Sequence, residues 1–138
     1  MISVFDMFSV GIGPSSSHTV GPMNAAAEFV DELKRQQLIN RVTHLTTELF
    51  GSLGQTGKGH GSGKAVILGL LGERPETIDV DSIDTRLADI DTNESLNLGG
   101  EKSIRFPRTK AIVFHRRKTL PRHANAMSLH AFDGENLL

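Results

Sequence analysis

The stretch VGPMNAAAEFVDELKRQQL, residues 20 to 38, decides how this chain folds, because its apolar residues repeat with the period of a helix. These residues recur at spacings of three and four and therefore share one face. They are Met23, Ala26, Ala27, Val30 and Leu33. Pro22 has no backbone N–H and so belongs in the first helical turn, where that donor has no partner. The stretch predicts an amphipathic helix that begins close to residue 20.

Two further elements follow this helix along the chain. RVTHLTTELFG, residues 41 to 51, is rich in β-branched side chains and predicts a strand that ends at Gly51. AVILGLLG, residues 65 to 72, is apolar on all sides. With Ser62 as an N-cap and Gly72 as the stop, this second segment predicts a buried helix over residues 63 to 71.

The remaining elements are shorter. TIDVD, residues 77 to 81, predicts a strand, and SIDTRLADIDTNESL, residues 82 to 96, predicts a helix capped by Ser82. Three β-like runs follow, at residues 102–107, 110–115 and 125–134. We therefore expect an α/β fold of the α+β type, with a mixed sheet packed against helices.

Composition limits the classes of function. A chain of 138 residues fits one domain, and 15 basic against 16 acidic residues leave no strong field to attract nucleic acid or an anionic membrane. The N-terminus lacks the pattern of a signal peptide, so we expect a cytoplasmic protein. The chain has no cysteine, which excludes disulfides, thiolate nucleophiles and Cys-held metal sites within it.

The stretch GIGPSSSHTVGP, residues 11 to 22, collects hydroxyl groups just before the first predicted helix. Together with the free N–H groups of the helix start, Ser15, Ser16, Ser17 and Thr19 form a neutral donor cradle suited to a carboxylate or phosphate. The alternative is an N-cap with redundant serines. A serine hydrolase is a weaker alternative, because no G-x-S-x-G surrounds these residues.

The stretch GSLGQTGKGHGSGK, residues 51 to 64, is a glycine-rich loop that matches neither the P-loop nor the G-x-G-x-x-G pattern. His60 precedes the second helix, whose positive end disfavours imidazolium, so His60 is a candidate general base. The alternative is a solvated loop histidine. His44 and His130 lie in predicted strands as packed or surface residues. His115 and His123 lie among arginines, and no histidine has metal-site spacing.

Three stretches carry a resemblance to a known family. MISVFDMFSVGIGPSSSHTVGPM (1–23), FGSLGQTGKGHG (50–61) and HANAM (123–127), in this order, closely resemble the N-terminal β domain of the bacterial iron-sulfur L-serine dehydratases, also called L-serine deaminases. The likeness covers almost all 138 residues. The first two stretches are long and specific, whereas HANAM is weak by itself.

The resemblance implies a domain organisation. Members of that family deaminate L-serine to pyruvate and ammonia with a [4Fe-4S] cluster, held by cysteines of a C-terminal α domain in the same or a separate chain. Residues 1–138 would then be a single β domain without the cluster-binding catalytic α domain, and the complete enzyme would be a homodimer. The β domain is also similar to the allosteric substrate-binding domain of D-3-phosphoglycerate dehydrogenase, which implies a fold able to hold small anions.

The resemblance also implies roles for residues. The cluster would supply Lewis-acid chemistry at the substrate hydroxyl, while Ser15, Ser16, Ser17 and Thr19 would hold the substrate carboxylate. His60 and His18 compete as the base that removes the Cα proton, and we assign that role to His60 and a binding role to His18. Lys58 would help to position the anionic substrate. The alternative function is a regulatory module that binds L-serine or another small acid and has no catalytic residue.

Overall fold

The computed structural model describes residues 5–8, 20–51, 62–115 and 125–138. The helices in these ranges are α1 (Val20–Arg35), α2 (Ser62–Leu70), α3 (Ile83–Asn93) and α4 (Arg108–Ala111), with 3₁₀ turns at Ile39–Arg41 and Val80–Ser82. The strands are β1 (Phe5–Phe8), β2 (His44–Gly51), β3 (Ser95–Leu98), β4 (Lys102–Arg105), β5 (Ile112–Phe114), β6 (Asn125–Asp133) and β7 (Asn136–Leu137). The prediction of a mixed α/β fold is confirmed.

The main sheet has the strand order β1-β6-β2-β5, and β7 also pairs with β6. β6 is antiparallel to both β1 and β2, whereas β5 is parallel to β2. It follows that β1, β2 and β5 all run in the same direction and that β6 opposes them. β3 and β4 form a separate antiparallel hairpin.

One hydrophobic core joins the helices to the sheet. The predicted apolar face of α1 is buried throughout, from Met23 to Leu33. On β2 the residues of one face, Leu45, Thr47 and Leu49, are fully or almost fully buried and belong to the side that the helices cover. Burial of the large apolar side chains among these residues stabilises the layered arrangement, because each one that is fully buried contributes roughly 1.5–3 kcal/mol.

Helices α1 and α2 end in the same way. After α1, Leu38 donates to the Leu33 carbonyl (2.8 Å) and Gln37 has a positive φ of 58°. After α2, Glu73 donates to the Leu68 carbonyl (3.0 Å) and Gly72 has a φ of 97°. Both ends are Schellman motifs, in which a left-handed residue lets the chain satisfy the last carbonyls. The prediction that α2 stops at Gly72 is confirmed.

The prediction of a strand at residues 77–81 is wrong. The carboxylate of Asp79 accepts a hydrogen bond from the backbone N–H of Asp81 (3.2 Å), and Ser82 donates its hydroxyl to the Asp79 carbonyl (3.0 Å). These local bonds fold the segment into a 3₁₀ turn and leave Val80 exposed. Short polar side chains of this kind compete with strand pairing.

The helix predicted over residues 82–96 ends early. α3 stops at Asn93 because Glu94 takes a left-handed conformation (φ 50°), and the next residues form β3. Leu96 and Leu98 alternate with exposed Asn97 and are buried in the hairpin with β4. The alternation of Leu96, Asn97 and Leu98 between buried and exposed positions therefore favours a strand in this segment. None of the described helices has the length and apolar character needed to span a bilayer.

Candidate functional site

The site residues predicted from the sequence lie outside the described residues. The segment 9–19 contains Ser15, Ser16, Ser17, His18 and Thr19, and the segment 52–61 contains Lys58 and His60. The structure does describe the strands and helices on both sides of each segment. The geometry of those flanking elements shows from where the two segments leave the sheet and where they rejoin the fold.

Both segments leave the sheet from the same edge. Because β1, β2 and β5 are mutually parallel, their C-terminal residues Phe8, Gly51 and Phe114 lie at one end of the sheet. Phe8 and Phe50 both pair with Ala126 of the intervening strand β6, one from each side. Two strand spacings separate them, which is roughly 10 Å. In open α/β sheets, ligands bind at this carboxyl edge.

Both segments also rejoin the fold at helices that run in the same direction. Near the start of α1, Met23 packs in a small cluster with Ala65 and Leu68 of α2. Further along, Gly69 near the end of α2 lies against Ala26 and Ala27 of α1. The contacts advance together along both helices, so the two N-termini lie at the same end of the molecule.

The N-termini of α1 and α2 create a favourable setting for an anion. Each helix start carries up to four backbone N–H groups without an intrahelical partner and the positive end of the helix dipole. The start of α2 also lies close to the end of β5, since a Cβ on Gly63 would be 3.3 Å from Cζ of Phe114. Helix starts and strand ends therefore converge at one edge of the fold.

His115 is a residue at this edge that sequence reasoning left without a function. It directly follows β5, and its backbone N–H donates to the Leu49 carbonyl of β2 (2.9 Å). Its Nε2 lies 2.9 Å from Oε1 of Glu48, and its ring stacks on Phe50 with 4.6 Å between centroids. An ionised carboxylate only accepts, so Nε2 carries the proton in this bond. Glu48 and Phe50 thereby fix the orientation of the imidazole.

The strand pairing explains why sequence reasoning missed this pair. In the sequence His115 precedes two arginines, which suggests a solvated turn. Only the parallel pairing of β2 with β5 brings it beside Glu48. The signal in the sequence is weak, because nothing local indicates which strand lies next to residues 112–114.

The other two described histidines lie in the strands as predicted. His44 stacks on Phe132 with 4.8 Å between ring centroids, and its Nδ1 lies 3.2 Å from the Thr43 hydroxyl. His130 is partly buried on β6. Within the described ranges, no three histidine or carboxylate side chains are grouped so that they could hold a metal ion.

Comparisons with known proteins agree on one family. A family model described as the serine dehydratase beta chain matches residues 3–138. An L-serine dehydratase of Streptomyces coelicolor is 53% identical over 134 residues, which is 97% of this chain. L-serine dehydratase 1 of Escherichia coli is 48% identical over 139 aligned positions that cover the whole chain, and an L-serine dehydratase of Helicobacter pylori is 40% identical over 134. The chain spans about 30% of the length of these relatives.

Proposed function

Because this chain belongs to the serine dehydratase beta chain family, we propose that it is the β domain of an L-serine dehydratase, an ammonia-lyase that converts L-serine to pyruvate and ammonia. The structural observation that best supports this proposal is that segments 9–19 and 52–61 both leave the sheet from the edge formed by the C-terminal ends of β1 and β2. Two segments that start roughly 10 Å apart can contribute side chains to one small substrate.

The proposed reaction needs a carboxylate site and a base. Loss of the Cα proton and of the β-hydroxyl, as water, converts L-serine to aminoacrylate, which hydrolyses to pyruvate and ammonia. In our proposal Ser15, Ser16, Ser17 and Thr19 donate hydrogen bonds to the substrate carboxylate, with His18 beside them. Holding the carboxylate restricts the positions that the Cα–H bond can take relative to the base, and orientation of this kind lowers the barrier.

We assign removal of the Cα proton to His60. Its position shortly before α2 favours a neutral imidazole, whose free nitrogen can accept the proton. The glycines on either side of it permit a close approach to substrate. Lys58 adds a positive charge that attracts the carboxylate. These roles concern residues outside the described ranges and rest on the sequence and on the family.

The residues of this chain do not fit a [4Fe-4S] cluster. Such a cluster is normally held by cysteine thiolates, and the chain has none. We therefore propose that the cluster ligands belong to a second, α domain, in the same or in a separate chain. The share of the relatives that this chain leaves uncovered, about 70% of their length, is large enough for such a domain. A homodimer of the complete enzyme stays a prediction.

The test is anaerobic pyruvate formation from L-serine by the full-length, reconstituted protein. We expect His60→Ala to lower kcat by a factor of roughly 10² to 10⁴, the usual contribution of a general base. His18→Ala should mainly raise KM. His130→Ala, a histidine on the middle of β6, is the matched control and should change turnover less than about twofold, because positions away from a site have small effects.

Three measurements make the outcome decisive. Iron content, circular dichroism and kcat are compared for each variant, so that loss of the cluster or of the fold is recognised. Comparable losses of kcat in His60→Ala and His18→Ala would contradict the division of roles. Full turnover in His60→Ala, with altered response to L-serine concentration, would favour the alternative of a regulatory module.

A further inference from the structure

A cavity of about 420 Å³ lies at the opposite end of β2 from the edge described above. Strand residues form one wall and the segment from β4 to α4 forms the other. The lining includes His44 and Leu45 of β2, and Arg105, Pro107, Lys110 and Ala111 of the opposite wall. His44 and Gly51, the two ends of β2, are separated by seven strand rises, which is roughly 23 Å.

The cavity exists because β5 is short. It pairs with β2 only at Thr47, Glu48 and Leu49. Along the preceding residues of β2, no described strand occupies that side, and α4 lies there instead, immediately before β5. A helix is wider than a strand and cannot follow the edge of β2 closely. The mismatch leaves space between β2 and α4.

The chemistry of the lining combines an apolar wall with positive charge. The apolar residues of the lining are Leu45, Pro107 and Ala111. Arg105 and Lys110 are exposed cations that line the cavity, and neither forms an ion pair with any residue in the described part of the chain. No aspartate or glutamate is among the described lining residues.

His44 adds a fixed polar group to the same wall. The contact with Thr43 and the stacking on Phe132 hold its ring in one orientation. Small-molecule sites typically have volumes of roughly 300–1,000 Å³, a mostly apolar lining and a few placed polar groups. This cavity satisfies each of these conditions, and its two charged lining residues are both positive.

We propose that this cavity binds a small carboxylate with an aliphatic or aromatic body. The apolar wall would bury the body, while Arg105 and Lys110 would bind the carboxylate, the guanidinium with two parallel hydrogen bonds. The largely apolar wall favours such a compound over L-serine, whose side chain is polar. The ligand would therefore differ in chemical class from the substrate proposed above.

The test measures binding to the full-length protein by isothermal titration calorimetry. The probes are 4-methylpentanoate, its neutral analogue 4-methylpentanamide, and L-serine. We expect the carboxylate to bind more tightly than the amide. Arg105→Gln and Lys110→Gln should each weaken its binding about threefold, and the double variant about tenfold, as expected for partly solvated ion pairs. Arg35→Gln, which removes an exposed cation at the end of α1, is the control and should bind as the wild type does.

The titration has outcomes that would overturn the proposal. Absence of binding to the wild type, equal affinity for the carboxylate and the amide, or unchanged affinity in the double variant would each do so. Displacement of 4-methylpentanoate by L-serine at comparable concentrations would also do so, since it would assign the cavity to the substrate. All substituted side chains are exposed, so these variants are expected to fold.

Discussion

At the scale of single residues, Thr47 is in an unfavourable position. It lies at the middle of β2, fully buried, and its hydroxyl has no hydrogen-bond partner among the described residues. A buried hydroxyl without a partner costs about 1–3 kcal/mol. Thr47→Val keeps the shape and removes that group, and valine also favours strands. We expect this variant to raise the free energy of unfolding by about 1 kcal/mol, measured by urea denaturation of the full-length protein.

Thr46→Val is the matched control for this prediction. Thr46 is adjacent on the same strand, but it faces the other side of the sheet and is only partly buried. Water can reach its hydroxyl, so the same substitution should change the unfolding free energy by less than about 0.5 kcal/mol. Equal effects of the two substitutions would show that strand propensity, and not the unpaired hydroxyl, determines the result.

The burial of a residue is predictable from the sequence where a local pattern carries the information. The alternation of Met127, Leu129 and Ala131 predicts the buried face of β6, and all three are fully buried. The contact between His115 and Glu48 has no such pattern, because it depends on a parallel pairing of strands whose residues are 67 positions apart. Pairings of that kind depend on the whole fold and have no local signature.

At the scale of elements, the packing of α1 on α2 depends on Gly69. A Cβ at this position would clash with the backbone oxygen of Met23 and would lie 2.7 Å from Cβ of Ala26. Because a backbone atom cannot move aside, the helices would have to separate. We expect Gly69→Ala to destabilise the protein by about 3 kcal/mol, at the upper end of overpacking effects, with a lower urea midpoint.

Gly100→Ala separates crowding from backbone conformation. Gly100 has a φ of 75°, but a Cβ added to it would meet no described atom within 4 Å. Only the left-handed conformation opposes an alanine there, at a cost of about 1 kcal/mol. If Gly69→Ala is no more damaging than Gly100→Ala, close helix packing does not explain the need for glycine at position 69.

Element boundaries were predicted best where a stop residue is present. α1 follows from its periodicity and α2 from its continuous apolar run, and Gly72 ends α2 as expected. The helix predicted to reach residue 96 had no such signal, because Glu94 adopts the left-handed conformation that glycine would normally mark. The strand prediction for residues 77–81 is wrong for a related reason. The Asp79 side chain makes a local hydrogen bond that a hydropathy pattern does not show.

At the scale of the whole molecule, the chain supplies only part of the proposed enzyme. We expect the isolated 138-residue chain to form no pyruvate from L-serine, because it has no cysteine to hold a cluster. A lactate dehydrogenase-coupled assay under anaerobic conditions measures this, with the reconstituted full-length protein as the positive control. Pyruvate release by the folded fragment would contradict the division of the enzyme into two domains.

The fold class predicted from the sequence is confirmed. Only part of the candidate site could be predicted in the same way. The segments 9–19 and 52–61 are far apart in the sequence, and the strands that precede them end at a common edge because β6 pairs with both β1 and β2. Sequence patterns predict β2, β4, β5 and β6 but not the order of the strands in the sheet. The similarity to the allosteric substrate-binding domain of D-3-phosphoglycerate dehydrogenase stays a prediction.

The position of β6 between β1 and β2 has a consequence for biosynthesis. β1 pairs with residues 126–129, so this strand has no partner in the described sheet until those residues have been translated. Translation proceeds at about 5–20 residues per second, so roughly 4–16 s pass between the synthesis of Gly51 and the synthesis of the β6 residues that pair with β1 and β2. Such non-local pairing slows folding and exposes strand edges to aggregation.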